Sequence, residues 1–275
     1  MQRTIKQVIQ AQPSQDGDGV KIRRCAGFQL QQMFDPFLML DEIASDEAAD
    51  YIGGFPAHPH RGFETVTYML DGRMRHRDHL CNEGLLEAGG VQWMTAGKGV
   101  IHSEMPEQEQ GRLHGFQLWI NLPAKDKLQP PRYQEFPAQQ IPAVSLPGAN
   151  VKIIAGRFHG QQGPVNNIST QASYFDVTLT EGAAIELPTA ADNNVLIYLI
   201  SGGISLGGQT LQQGWLAQLS DGDSVILSAS SNSRLLFLSA RPIGEPIAHW
   251  GPFVMNTHEE IQQAMDDYRA GKLTD

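Results

Sequence analysis

The sequence predicts an all-β protein of two repeated units in tandem, with one short helix near the C-terminus. The apolar runs are short, rich in aromatic and β-branched residues, and separated by Gly, Pro, Asn and Asp, which is typical of strands joined by tight turns. This plan occurs twice along 275 residues, a length that suits two domains of ordinary size. One segment near the C-terminus, residues 257–271, has its apolar residues at helical spacing instead.

The first half is predicted to be an antiparallel β domain covering residues 1–125. Its clearest strand runs from Thr65 to Leu70 and is followed by Asp71-Gly72, a pair that favours a hairpin turn. Further strand-like runs cover residues 84–88, 91–95, 100–104 and 115–122.

The second half is predicted to be a degenerate copy of the first, covering residues 151–275. Residues 126–150 are rich in Pro and Gln without a sustained period, which predicts an ordered linker. Beyond it, Tyr198-Leu199-Ile200-Ser201-Gly202 resembles Tyr68-Met69-Leu70-Asp71-Gly72. The copy lacks histidines where the first half has its histidine pairs, so at most one half is expected to bind a metal through them.

The helix is predicted to begin after Thr257 and to stop at Gly271. Thr257 and Glu260 fit a capping box, and Ile261, Ala264, Met265 and Tyr268 follow at helical spacing. We expect this helix to have a packing role.

Composition excludes several classes of function. Twenty basic and thirty acidic residues give a net charge of −10, which disfavours direct binding to nucleic acid. The two cysteines, Cys25 and Cys81, form no CxxC motif, so we expect neither a disulfide framework nor a thiolate zinc site. We expect a reduced, cytoplasmic setting. Residues 1–12 lack a signal-peptide pattern, and no apolar run is long enough to span a membrane.

Two short histidine motifs carry the chemistry: His58-Pro59-His60 and His102-Ser103-Glu104. In a strand, side chains at positions i and i+2 share one face. Two such pairs on facing strands would bring three imidazoles and a carboxylate around one point, the ligand set of a mononuclear metal site. Nitrogen and oxygen ligands without thiolate suit Fe(II), Mn, Co, Ni or Cu, and they are less typical of structural zinc.

The surroundings of these motifs resemble the pirin family of the cupin superfamily. His58, His60 and Glu64 fit the HxH(x)3E spacing of cupins, and Gly99 and His102 keep the G(x)2H spacing of their second motif. Two longer segments resemble pirins in particular: residues 55–68 (FPAHPHRGFETVTY) and residues 92–106 (QWMTAGKGVIHSEMP). The resemblance implies two cupin β-barrels of jelly-roll type in tandem, and a metal held by His58, His60, His102 and Glu104.

The carboxylate ligand has two candidates. Ordinary cupins use the glutamate of the first motif, here Glu64, whereas the pirin pattern uses the later one, here Glu104. The i and i+2 relation to His102 also favours Glu104. We therefore predict that Glu104 is a metal ligand and the catalytic residue. We expect Glu64 to lie next to the ligands without binding the metal.

The resemblance also implies a function. Several pirins are described as quercetin 2,3-dioxygenases, so we expect O2-dependent cleavage of a flavonol such as quercetin. We expect a monomer, because a chain of two closed barrels can stand alone. Glu104 would assist deprotonation of the 3-hydroxyl, and Fe(II) is the preferred metal, ahead of Mn, Co, Ni, Cu or Zn. The alternative is a non-enzymatic metal-binding regulator that acts through a protein partner, either a transcription factor or a metabolic enzyme. A third option is an isomerase or hydrolase that uses the metal only as a Lewis acid.

The remaining histidines and the aromatic residues near the motifs are given structural roles. His76 and His79 lie in a charged segment and are expected to be solvated. His114 would either reach the pocket or be a satisfied core histidine. We assign no chemistry to His159, His249 and His258, and we expect Phe55, Phe63 and Trp93 to be mostly core, with one or two of them at the mouth of the site.

Overall fold

The computed structural model describes residues 1–27, 31–108 and 110–275, and the described chain is dominated by antiparallel strands. The strands are β1 (Ile5–Gln10), β2 (Gln12–Asp16), β3 (Val20–Ala26), β4 (Phe37–Ser45), β5 (Phe55–His60), β6 (Phe63–Asp71), β7 (Arg73–Asp78), β8 (Glu83–Glu87), β9 (Val91–Thr95), β10 (Val100–Pro106), β11 (Leu113–Asn121), β12 (Arg132–Phe136), β13 (Ala143–Leu146), β14 (Ala149–Ala155), β15 (Arg157–Phe158), β16 (Gln161–Gln162), β17 (Ser173–Leu179), β18 (Ala184–Pro188), β19 (Asn194–Ser201), β20 (Gly203–Leu206), β21 (Gln209–Gln212), β22 (Trp215–Leu219), β23 (Ser224–Ala229), β24 (Ser233–Ala240), β25 (Ala248–Trp250) and β26 (Phe253–Met255). The helices are α1 (Gln31–Phe34) and α2 (His258–Arg269), with 3-10 turns at Ala48–Asp50, Ala124–Asp126 and Ala138–Gln140. Neither α1 nor α2 has the length and apolar character needed to cross a bilayer.

One compact unit contains both histidine motifs. It comprises residues 12–138 and 243–275. Its seven-stranded sheet has the order β12-β9-β6-β11-β4-β3-β2, and its four-stranded sheet has the order β5-β10-β7-β8. The sheets bury a common apolar core, since Ile43 and Met69 of the first cluster with Met74 and Leu86 of the second.

The other unit repeats this plan. It comprises residues 1–11 and 139–242, with a seven-stranded sheet β1-β22-β19-β24-β17-β14-β13 and a four-stranded sheet β18-β23-β20-β21. Its interior is filled by aliphatic and aromatic side chains from both sheets, including the stacked rings of Phe175 and Phe237. The predicted repeat of one β plan is therefore confirmed, and apolar packing takes the place of a histidine-lined site in this copy.

The structure divides the chain differently from the ranges expected above. Residues 1–11 belong with the second repeat, because β1 pairs with β22 in its sheet. Residues 243–275, including α2, belong with the first repeat. Each repeat thus takes one terminal segment from the opposite end of the chain, which local sequence patterns could not indicate.

The Pro- and Gln-rich segment also differs from a plain linker. Its residues 132–136 form β12, which pairs with β9, and its residues 143–146 form β13, which pairs with β14. Both are edge strands. Proline is tolerated between and beside edge strands because no ladder hydrogen bond is lost there, and the interrupted pattern hides them from periodicity.

The terminal helix forms as predicted. The Thr257 side chain accepts a hydrogen bond from the Glu260 amide, and the Glu260 side chain accepts one from the Thr257 amide. Ile261 and Ala264 are buried in a small cluster with Phe253 and Met255 of the hairpin β25–β26. The helix therefore has the packing role expected of it, within the unit that contains the histidine motifs.

Replacing the cap residue tests this packing. Thr257→Ala removes the acceptor for the Glu260 amide and should lower the free energy of unfolding by about 1 kcal/mol, measured by urea denaturation. Thr257→Ser keeps the acceptor and is expected to behave like the natural protein. Equal stability of the Ala and Ser variants would contradict a stabilising role for the capping box.

Candidate metal centre

Pairing of β5 with β10 brings the two histidine motifs together. The strands are antiparallel, and His102 lies directly opposite His58, while His60 lies opposite Val100. Residues that face each other in such a pair project from the same side of the sheet. The side chains of His58, His60 and His102 therefore converge, and one ring nitrogen from each lies within 4.8 Å of the others.

The geometry of the cluster fits a bound metal ion. His58 Nδ1 lies 2.8 Å from the Pro56 carbonyl oxygen, so this nitrogen carries the proton and Nε2 keeps its lone pair. His58 Nε2 lies 2.9 Å from His60 Nε2. Two neighbouring nitrogen ligands at ordinary metal distances are about 3 Å apart. This separation is therefore suitable for two ligands of one ion.

His102 provides a second sign of fit. It is buried, and neither of its ring nitrogens has a hydrogen-bond partner among the described residues. A buried polar group without a partner is uncommon in a folded protein, and an ion or water is the usual explanation. Burial, together with the neighbouring histidines, holds the pKa of His60 and of His102 well below the usual range. Both rings are therefore neutral, which is the form that binds metals.

Glu104 lies close to the cluster without being part of it. It follows His102 by two residues on β10, and a bulge in the pairing with β5 falls between them. Its Oε1 accepts a hydrogen bond of 2.9 Å from Thr67 Oγ1 and lies 3.4 Å from His76 Nδ1. Glu104 lines the same cavity as His58 and His60. Its role as a ligand remains a prediction.

Glu64 occupies a different environment. It lies on β6, accepts a hydrogen bond of 2.7 Å from Thr95 Oγ1, and is absent from the residues that line the cavity. Burial raises the pKa of Glu64 to about 7, against the opposing influence of Thr95 and Trp93. A carboxyl group that is half protonated near neutral pH is a poorer metal ligand than an ionised one. These observations favour Glu104 over Glu64 as the carboxylate ligand of a metal ion.

The cavity above the histidines has a volume of about 610 Å³ and largely apolar walls. Its size is within the range usual for small-molecule sites. The apolar walls include Ile22, Met39, Ile43, Phe55 and Trp119; Gln117 and the pair Arg24–Asp41 are among its polar groups. Such a site can hold a flat, mainly apolar molecule with one polar edge near the histidines.

Several expectations for neighbouring residues can now be compared with the structure. His76 is buried and contacts Glu104, so the expectation that it is solvated was wrong; His79 is half-buried. His114 is a satisfied core histidine, bonded at 2.8 Å to Glu42 Oε1. Phe63 and Trp93 are core residues, whereas Phe55 lines the cavity.

Sequence reasoning missed other residues of the site. His249, to which no chemistry was assigned, lines the cavity together with Trp119 and Gln117. Thr67 contacts Glu104 from β6. For His76 a signal was available. In Met74-Arg75-His76-Arg77 every second residue is buried, so His76 shares the inner face with Met74.

Comparisons with known proteins agree with this fold. The chain matches the model of the Pirin family over residues 19–120 and that of the Pirin C-terminal cupin domain over residues 174–274. A pirin-like protein of Caulobacter vibrioides is 48% identical, covering 98% of this chain and 99% of its own. A Vibrio cholerae protein provisionally named a quercetin 2,3-dioxygenase is 47% identical, and the match covers 98% of this chain and 97% of the Vibrio protein.

A solved structure is also similar over the whole chain. The crystal structure of a quercetin 2,3-dioxygenase from Acinetobacter baumannii has a TM-score of 0.93 and 32% identity, and it covers 99% of both chains. The two repeats are therefore cupin domains of jelly-roll type, as predicted. Each is built from two open sheets and is not a closed barrel.

Removing a histidine tests the cluster. We expect His102→Ala to lose most of the bound metal, because loss of one of the three imidazoles leaves the ion weakly held; elemental analysis of the purified protein measures this. His258→Ala is a suitable control, since His258 is exposed on α2. An unchanged metal content in His102→Ala would contradict the assignment.

Replacing each glutamate separately distinguishes the two carboxylates. Glu104→Gln should weaken metal binding, because it removes the anionic oxygen beside the histidines, whereas Glu64→Gln should leave metal content close to that of the natural protein. Both side chains are buried, so the two variants are well matched. Loss of metal only from Glu64→Gln would assign the ligand to the first motif instead.

Proposed function

This chain belongs to the pirin family, and on that premise we propose that it is a metal-dependent dioxygenase that cleaves flavonols such as quercetin with O2. One observation carries the proposal. Three histidines form a cluster, and two of them, His58 and His60, line an apolar cavity of about 610 Å³, in a chain that is 32% identical over its full length to a quercetin 2,3-dioxygenase of known structure.

The residues that would hold the metal are His58, His60, His102 and Glu104. Three imidazoles and one carboxylate would leave net positive charge on a divalent ion and would leave positions on it open to other ligands. We propose Fe(II) as the resident ion, because these nitrogen and oxygen donors suit a redox-active metal. When bound, the metal supplies the open positions and the redox chemistry that link substrate to O2.

The cavity walls would bind and orient the flavonol. Phe55 and Trp119 offer flat apolar surface to its rings, and the aliphatic side chains of Ile22 and Met39 exclude water around them. The 3-hydroxyl and 4-carbonyl form the polar edge of the substrate, and this edge would point toward the histidines. Orientation of the reacting edge accounts for part of the rate enhancement expected of such a site.

Glu104 is the residue that we assign to proton transfer. Its carboxylate faces the cavity beside the histidines and would accept the proton of the flavonol 3-hydroxyl. The Thr67 hydroxyl, which donates to Oε1, would keep the carboxylate in place while it does so. In the overall reaction, both atoms of O2 enter the ring-opened ester product and one carbon leaves as carbon monoxide.

The activity can be tested directly. The protein loaded with Fe(II) should consume quercetin only in the presence of O2, seen as loss of the flavonol absorption band with release of one carbon monoxide per quercetin. Glu104→Gln should lower the rate constant of the loaded protein by about 10²–10⁴-fold, as expected for loss of a general base. Anaerobic incubation is the control, and absence of turnover with each of Fe, Mn, Co, Ni and Cu would reject the proposal.

A further inference from the structure

The contacts of the Glu104 carboxylate fall on one of its two oxygens. Oε1 accepts the Thr67 hydroxyl at 2.9 Å and lies 3.4 Å from His76 Nδ1. No contact to Oε2 is found among the described residues of this unit, although the side chain is buried. In the described part of the chain the carboxylate is thus contacted at Oε1 alone, and Glu104 lines the cavity that His58 and His60 also line.

His76 reaches Glu104 because of strand register. In the pairing of β10 with β7, Glu104 lies directly opposite His76. The imidazole is buried, and neither ring nitrogen makes a hydrogen bond to the described residues. At 3.4 Å, a small shift of the carboxylate brings Oε1 within hydrogen-bond distance of Nδ1. Glu104 is therefore a carboxylate that this buried histidine contacts across the strand pair.

Thr67 is itself hydrogen-bonded to a residue that lines the cavity. Its Oγ1 lies 2.8 Å from the amide oxygen Oε1 of Gln117, a residue that lines the cavity. A threonine hydroxyl has one hydrogen, so it cannot donate to both Glu104 and Gln117. With the amide turned so that its nitrogen faces Thr67, the chain of donors runs from Gln117 to Thr67 to Glu104. Each group then has a partner, and the carboxylate accepts.

The ring of His76 has open space behind it. A second cavity of about 480 Å³ is lined by His76 together with Gln92, Tyr133 and Glu135. A substituted side chain at position 76 therefore has open space beside it. The position is suited to substitution as a test.

We propose that Thr67 and His76 are positioning residues that hold Oε1 of Glu104 and so present Oε2 to the metal ion. This inference rests on the proposed function, because it takes Glu104 as a ligand. Outer groups that bond to a ligand fix its orientation, and their loss weakens metal affinity about 10- to 100-fold. The site thus contains two further functional residues, neither of which contacts the metal.

Paired substitutions test each residue by its contact with Glu104 Oε1. Thr67→Val removes the hydroxyl at nearly constant shape and Thr67→Ser restores it; His76→Phe removes the ring nitrogens and His76→Asn places an amide near the position of Nδ1. We expect Co(II) affinity to fall about 10- to 100-fold in the Val and Phe variants and to be largely recovered in Ser and Asn. The d–d absorption spectrum of the Co(II) protein should change in Thr67→Val and His76→Phe. It should return toward the natural spectrum in Thr67→Ser and His76→Asn.

A matched control comes from the other buried glutamate. Thr95 is a buried threonine whose hydroxyl donates to Glu64, as that of Thr67 donates to Glu104. Thr95→Val removes an equivalent hydrogen bond outside the ligand set, so Co(II) affinity and spectrum should stay unchanged. Equal losses in Thr95→Val and Thr67→Val would mean a general loss of stability and would overturn the inference.

Glu104→Gln distinguishes failure of this inference from failure of the proposed site. If Glu104→Gln binds Co(II) like the natural protein, the ligand set is wrong and the inference is rejected with it. If Glu104→Gln loses affinity while Thr67→Val and His76→Phe keep both the natural affinity and the natural spectrum, the ligand set stands and the positioning role is rejected.

Discussion

The site depends on the register between β5 and β10. His58 and His102 are directly opposed, and the i and i+2 spacing on each strand adds His60 to one and Glu104 to the other. A shift of one residue would turn one motif to the opposite face of the sheet, because side chains alternate along a strand. The cluster is therefore a property of one pairing, and the bulge between His102 and Glu104 adjusts where the carboxylate lies relative to the imidazoles.

The segment that follows the first motif is held in place by residues 243–275. Arg61 bonds to Asp267 and to the Leu273 carbonyl, and the buried ammonium of Lys127 donates to the carbonyl oxygens of Gly62 and Val254. Gly62 has a φ of 89°, and a Cβ there would lie 2.1 Å from the Val254 carbonyl oxygen. Only glycine fits this approach, which explains the glycine directly after His60-Arg61.

Lys127 is an unusual side chain for such a role. Burial lowers its pKa to about 7, while Glu245, Glu260 and Asp35 act in the opposite direction. Its three hydrogen bonds, to Gly62, Asn121 and Val254, match the three donors of an ammonium group. A buried charge is tolerated when all its donors form hydrogen bonds. The three hydrogen bonds of Lys127 therefore fix the position of Gly62 relative to Val254.

Much of the fold and the core of the site could be predicted from sequence because the relevant signals are local. The i and i+2 spacing of the histidines, the strand-and-turn pattern and the capping box of Thr257 each depend on a few neighbouring residues. The strand that pairs with β1 is β22, some two hundred residues away, and no local sequence pattern specifies this pairing. His76 was misjudged for a related reason: its charged neighbours suggested solvent, while the alternation that buries it carried the stronger information.

The exchange of terminal segments between the repeats has a consequence for biosynthesis. A ribosome adds about 5–20 residues each second, and domains generally fold as they emerge. The repeat with the histidine motifs cannot be complete as it emerges, since residues 243–275 are made only after the whole of the other repeat. Its first 127 residues, 12–138, emerge before residues 243–275 can contact Arg61 and Lys127, so the surroundings of the histidine motifs are completed last although the motifs are translated early.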